Sequence, residues 1–194
     1  MFEKLKETFS QFVTFTNDEF EIFTSKLVLQ KVRAKELWQI EGDVSNKIAF
    51  INRGILRHYY SKGDDEITAQ FYFDSDWVGD FVSHLTRKPA KMNIQALDDC
   101  DLLVLPLDQL SNLFARNPFL EKFEHLFSRQ KMIELYFREY SFLVESPEQR
   151  YRNLVAERPN LIEKIPQYYL AEYLGVRPES LSRIRKRLMQ KERS

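Results

Sequence analysis

The chain has 194 residues, 29 basic and 29 acidic side chains, zero formal net charge, and 43% hydrophobic and 14% aromatic residues. That is enough apolar material for a real core in one large or two modest domains. No apolar run is long enough to span a bilayer, and one cysteine, Cys100, allows neither an internal disulfide nor an iron–sulfur cluster.

The N-terminal stretch MFEKLKETFSQF is amphipathic, with no continuous apolar region before a cleavage site, so no signal peptide is expected. A cytoplasmic protein follows from these readings. Helical periodicity runs from Phe2 to about Leu29, through Phe9, Phe12, Phe15, Phe20, Phe23 and Leu27. From about Gln30 to Pro106 the period shortens. Runs rich in β-branched and aromatic residues appear at Glu36–Ile40, Ile48–Ile51, Ile55–Tyr60, Ile67–Phe73, Met92–Ala96 and Leu102–Leu105. Turn signals such as Glu41-Gly42-Asp43, Asn52-Arg53-Gly54 and Lys62-Gly63-Asp64 separate them. Many short strands at regular spacing predict an antiparallel jelly roll.

Helical patterning returns at Leu107, and Asn117-Pro118 divides a short helix from a long one reaching about Glu145. The long helix carries Phe119, Phe123, Leu126, Phe127, Met132, Ile133, Tyr136, Phe137, Tyr140 and Leu143. One surface stripe does not need so many. The excess predicts packing on the helix's own roll and on a partner in a parallel homodimer, or else burial by the C-terminal module alone. Glu145-Ser146-Pro147 reads as a hinge, because the residue before proline is pushed out of helix.

Residues Ile165–Leu188, IPQYYLAEYLGVRPESLSRIRKRL, carry the most information. Pro166 and Pro178 each suit a helix start. Leu170, Ala171 and Leu174 share one stripe, Leu181, Ile184 and Leu188 another. Gly175 permits the positive φ that ends the first helix. Glu179, Ser182, Arg183 and Lys186 fall on a different face, flanked by Arg185, Arg187, Lys191 and Arg193. The layout predicts a helix-turn-helix whose second helix enters a DNA major groove. The bland alternative is a surface helix pair with a solvated basic face. Charge favours the first reading. Residues 147–194 hold 11 Lys+Arg against 6 Asp+Glu, while residues 1–146 hold 18 against 23. A basic end on an acidic body suggests a nucleic-acid module joined to something else.

Other chemistry is sparse. His58, His84 and His125 lack metal-ligand spacing, Asp98, Asp99 and Asp101 read as a turn, and no phosphate loop or nucleophile elbow occurs. No catalytic activity and no metal are expected.

Taken together, the chain resembles the Crp/Fnr transcription regulators over nearly its whole length. The resemblance rests on Leu174-Gly175-Val176 with Glu179-Ser180-Leu181-Ser182-Arg183-Ile184, and on Asp76-Trp77-Val78-Gly79-Asp80-Phe81 leading to Lys88-Pro89-Ala90 and Ile94-Gln95-Ala96. It implies an α+β fold: a cyclic-nucleotide-binding-like β-roll with flanking helices (1–117), a long dimerisation helix (118–146) and a helix-turn-helix domain (147–194). It also implies double-stranded DNA and RNA polymerase as partners. Glu179 and Arg183 match the family's base-reading pair, and both residue types suit base edges. Ser180, Ser182, Lys186, Arg187 and Gln167 would lie among the DNA contacts, several of them on phosphates.

Three departures stand out. Pro178 replaces an arginine that better-known members place before the glutamate, with Arg177 as a partial substitute. A C-terminal β wing is not expected, and the Pro159–Ile165 loop is too short for much of a hairpin. In the ligand cassette, Gly79-Asp80 stands for a Gly-Glu pair and Pro89-Ala90-Lys91 for Pro-Arg-Ser/Thr. Arg87, Lys88 or Lys91 could supply charge, but lysine lacks arginine's fork. Tight cAMP binding is therefore not expected, and an unrelated effector or none is the default for this pocket. The competing reading is a small-molecule receptor or protein-interaction module that no longer reads DNA.

Overall fold

The structure, a computed structural model, describes residues 1–192. Helices α1 (Glu3–Ser10) and α2 (Asn17–Thr24) lead in. Thr16 and Glu19 close a capping box at the start of α2: the Glu19 N–H donates to the Thr16 hydroxyl at 3.2 Å, and the Thr16 N–H to the Glu19 carboxylate at 2.7 Å. The helical pattern read as far as Leu29 stops sooner. Val28 already belongs to a strand, because Val28–Val32 pairs antiparallel with residues 100–104.

Eight strands build the roll: β1 (Val28–Val32), β2 (Leu37–Gln39), β3 (Lys47–Arg53), β4 (Leu56–Lys62), β5 (Asp65–Tyr72), β6 (Trp77–Val78), β7 (Asn93–Ala96) and β8 (Cys100–Pro106). They form two four-stranded antiparallel sheets, ordered β1-β8-β3-β6 and β2-β7-β4-β5. Alternate residues of both sheets, among them Trp38, Ala49, Ile51, Leu56, Ile94 and Leu102, fill the space between them. At the β3–β4 turn Gly54 has φ +118°, and a Cβ there would lie 2.8 Å from the Cα of Cys100, so only glycine lets the turn cross β8. Helix α3 (Phe81–Thr86) joins β6 to β7.

A phenylalanine cluster fastens the flanking helices to one sheet. The Phe9 ring meets those of Phe15, Phe20, Phe23, Phe119 and Phe123. After a 3₁₀ turn at Leu107–Gln109 come α4 (Leu110–Arg116) and the long α5 (Pro118–Val144). The start of α5 is buried through Phe119, Leu120 and Phe123, whereas Met132, Ile133, Leu135, Tyr136, Phe137, Tyr140, Leu143 and Val144 are exposed.

Ser146 caps α6 (Pro147–Glu157), its hydroxyl accepting from the Gln149 N–H at 3.2 Å. Residues Pro159–Lys164, expected as a loop, form helix α7, which Pro159 opens; proline at a first turn loses no hydrogen bond. Then come α8 (Gln167–Tyr173) and α9 (Pro178–Glu192). Their core of Tyr151, Leu154, Ile165, Leu170, Leu174 and Leu181 is continuous with Ile55 and Phe71 of the roll. The C-terminal helices are thus packed onto the edge strand β5. Among the described residues, no helix is long and apolar enough to cross a membrane.

Candidate nucleic-acid interface and roll pocket

The α8–α9 turn is fixed by backbone hydrogen bonds. The Val176 N–H reaches the Ala171 carbonyl and the Gly175 N–H the Glu172 carbonyl, both at 2.9 Å. This is a Schellman stop with Gly175 at φ +68°. A Cβ on Gly175 would sit 2.9 Å from the Phe142 ring, so the turn also needs glycine to pack on the end of α5. Leu170, Ala171, Leu174, Leu181 and Ile184 are buried, and Leu188 is partly so. The inward stripe read from the sequence is the one the structure buries.

The opposite face of α9 stays open. Glu179, Ser182, Arg183 and Lys186 are exposed, as are Arg177 and Gln167, while Ser180 is half-buried. Ser182 and Lys186 share a shallow groove of about 380 Å³ with Gln167 and Arg185, which brings the start of α8 beside the open face of α9. Ser180, Arg183 and Lys186 line a second depression with Ser146 and Glu148. Arg187 leans 3.7 Å from the Glu148 carboxylate, with its side chain 60% exposed. Such a pair is weak and does not withdraw Arg187 from solvent. Arg193 lies outside the described residues, as does the side chain of Lys191.

The β6–β7 segment is organised differently. Gly79 is held by packing, because a Cβ there would approach the Ile48 methyl to 2.8 Å. Asp80 is buried and caps α3, its carboxylate accepting from the Ser83 N–H at 2.9 Å. The Ser83 hydroxyl donates to the Lys88 carbonyl at 2.6 Å and accepts from the Ser45 N–H at 3.0 Å. Ala90 is buried, and its N–H and carbonyl are taken by Asp43 and Gly42. Arg87, Lys88 and Lys91 are all exposed. These residues do not fit a cyclic phosphate. The position that would need a guanidinium offers a methyl group, and the nearby cations are all exposed.

Burial perturbs several ionisable groups in and beside the roll. His58 on β4 buries its Nε2 with no hydrogen-bond partner among the described residues. Burial pushes its pKa down to about 4, with Asp80 opposing and Arg138 reinforcing the shift. Tyr72 is pushed up, chiefly by burial and then by Asp76. Burial also raises Asp76 above the usual carboxylate range, although a hydrogen bond from the Phe73 N–H at 2.9 Å pulls the other way. Arg138 of α5 stacks on the Tyr173 ring at 4.1 Å. Cys100 is buried and its thiol pushed up to about 11, so it is not a reactive thiolate at neutral pH. Among the described residues, no group of three His, Cys, Asp or Glu side chains is placed to hold a metal.

Comparison with known proteins gives the class first. Residues 29–117 match the family model of the cyclic nucleotide-binding domain. No curated protein matches the chain by sequence. Solved structures do match it. The regulator CLP of Xanthomonas campestris, described as c-di-GMP responsive, superposes with a TM-score of 0.75 at 13% identity, covering 91% of this chain and 93% of its own. FixK2 of Bradyrhizobium japonicum gives 0.72 at 13% identity, with 86% of each chain covered. A CooA mutant from Carboxydothermus hydrogenoformans gives 0.70 at 14%, covering 92% and 87%. The chain therefore carries a cyclic nucleotide-binding domain within the α+β fold of the Crp/Fnr transcription regulators.

Proposed function

We propose that this chain is a homodimeric, sequence-specific DNA-binding transcription regulator of the cytoplasm, without catalytic activity. It divides into a sensor (1–117), a coupling helix (118–146) and a DNA-reading unit (147–194). The observation that carries this reading is the open face of α9. Glu179 and Arg183 stand four residues apart on a helix whose other stripe is buried, so both face outward together. Glutamate accepts from a cytosine amine, and arginine grips guanine O6 and N7. Lys186, Gln167 and the half-buried Ser180 flank them where phosphates would run.

An exposed apolar stripe on α5 supports the same reading. The outer half of α5 presents Met132, Ile133, Tyr136, Phe137, Tyr140 and Leu143 to solvent. These positions follow helical spacing on one side, as a parallel helix pair requires. Two α9 helices related by a two-fold axis would then read a symmetric site. RNA polymerase is the further partner that the resemblance supports. In the roll, the committed cassette argues against tight cAMP binding and leaves any effector to be identified.

Selection of genomic fragments by the purified chain tests the reading. Enrichment of two-fold symmetric sites, with affinity falling as salt rises through counterion release, is the expected result. Retention of no fragment, with and without cell metabolites, would favour a receptor that does not read DNA.

A further inference from the structure

Among the described residues, Arg57 is the most deeply buried charge, 1% exposed although it lies on β4. A buried guanidinium persists only when its donors and its charge are satisfied. On the roll side, its Nε and Nη2 donate to the Gln95 side chain at 3.0 and 2.9 Å, and Nη2 also donates to Glu66. Its Nη1 donates to the Thr68 hydroxyl of β5 at 3.4 Å, and further partners come from α8. The guanidinium carbon lies 4.1 Å from the centre of the Tyr59 ring and 3.9 Å from that of Tyr169, so one aromatic from each unit packs against it. Its Nη1 lies 3.9 Å from the Glu172 carboxylate. That same carboxylate oxygen accepts from the Thr68 hydroxyl at 2.5 Å and the Thr68 N–H at 3.2 Å, both on β5. Tyr169 and Glu172 stand three apart on α8 and therefore share a face.

Two struts brace the far end of α8. Arg138 of α5 stacks on Tyr173. Arg150 of α6 donates to the Leu174 carbonyl at 3.1 and 3.0 Å and to the Glu145 carbonyl at 2.7 Å, tying the turn to the hinge. The clamp does not cover the reading surface: with α8 docked, Gln167, Glu179, Arg183 and Lys186 remain exposed.

We propose that Arg57 is a positioning residue for DNA recognition. Through Tyr169 and Glu172 it fixes α8, and with it α9, at one orientation on the roll, and so sets the spacing of the two recognition helices in a dimer. The role rests on the DNA reading above. Nothing in it requires Arg57 to touch DNA. Its effect falls on the match between two half-sites, because a tethered second contact is lost when geometry no longer permits both at once.

The test uses the 194-residue chain with Glu172→Gln, which leaves the roll's own partners of Arg57 in place, and Arg57→Met as the harsher variant. Amide exchange at Thr68 and along α8 reads the clamp, and binding to a two-half-site duplex against a single-half-site duplex of equal length reads the positioning. Exchange should quicken roughly tenfold or more in both variants, since a docked segment that loses a buried partner opens more often. Affinity for the two-half-site duplex should fall on the order of tenfold, with the half-site duplex within about twofold of the parent chain. Unchanged exchange in Glu172→Gln overturns the clamp. Equal losses on the two duplexes overturn the positioning role. If the parent chain binds neither duplex, the DNA reading and the positioning role fail together, and the exchange data decide the clamp by themselves.

Discussion

The β6–β7 segment of the roll and helix α9 deal with their polar groups in opposite ways. In the first, Asp80 caps α3, Ser83 bridges Lys88 and Ser45, and the backbone of Ala90 is bonded to the Gly42–Asp43 turn. Each of these groups is spent on holding the fold. On α9 the apolar stripe does the holding, and Glu179, Ser182, Arg183 and Lys186 are left to solvent. Two arginines make the same point. Arg57 is enclosed by partners, whereas Arg183 lies open beside a shallow depression. A saturated charge organises structure, and an open one on a rigid frame is available to a ligand.

The contrast is most easily broken at the proposed dimer contact on α5. Replacing Tyr136 and Tyr140 together with glutamate places like charges in the outer stripe of α5. Sedimentation should show a monomer, with affinity for a two-half-site duplex lowered about a hundredfold or more as the tethered second contact disappears. A variant that stays dimeric would move the interface elsewhere.

Next in size is the acid response of the roll. His58 has a folded pKa of about 4, below the usual imidazole value. Between about pH 6.5 and 4 the unfolded chain therefore takes up a proton that the native imidazole refuses. The stability contributed by neutral His58 is present above that window and is lost as pH falls through it, by about 3 kcal/mol at most. Asp76, shifted upward, counts with the opposite sign near the acid end. Urea midpoints at several pH values should show His58→Gln with a flatter slope than the parent chain. Equal slopes would mean that the imidazole is hydrated.

Smaller effects are expected at the reading face. Arg183→Ala and Glu179→Ala should each weaken specific binding by roughly 1–3 kcal/mol and relax base choice. Both side chains are exposed, so melting temperatures should barely move. The smallest expected signal is that of cAMP. Calorimetry should show no binding at micromolar concentrations, and a micromolar Kd would mean that the cassette re-forms around the ligand.

How much of this was legible in the residues follows from where the determinants lie. The α8–α9 turn announced itself because Gly175, Pro178 and the two apolar stripes are local signals. Most strands did so through alternation and turn residues. The strand at Val28–Val32 was hidden, because its pairing with β8 overrides a helical-looking run. Helices α3 and α7 are six residues each, too short for periodicity to show. Arg57 carried no local mark at all. Its contact with Glu172 joins β4 to α8, and the companion bond from Thr68 spans 104 residues of sequence. A buried arginine can be read from a strand pattern only once its long-range partner is known.

The most direct test of the account titrates a duplex enriched by the parent chain with the parent and with Arg183→Ala, each at several salt concentrations, by fluorescence anisotropy. Steep salt dependence is expected for both proteins, with a loss of roughly tenfold or more in preference over unrelated duplex for the variant alone. Equal preference in the two proteins would show that α9 does not read the bases and would contradict the central claim.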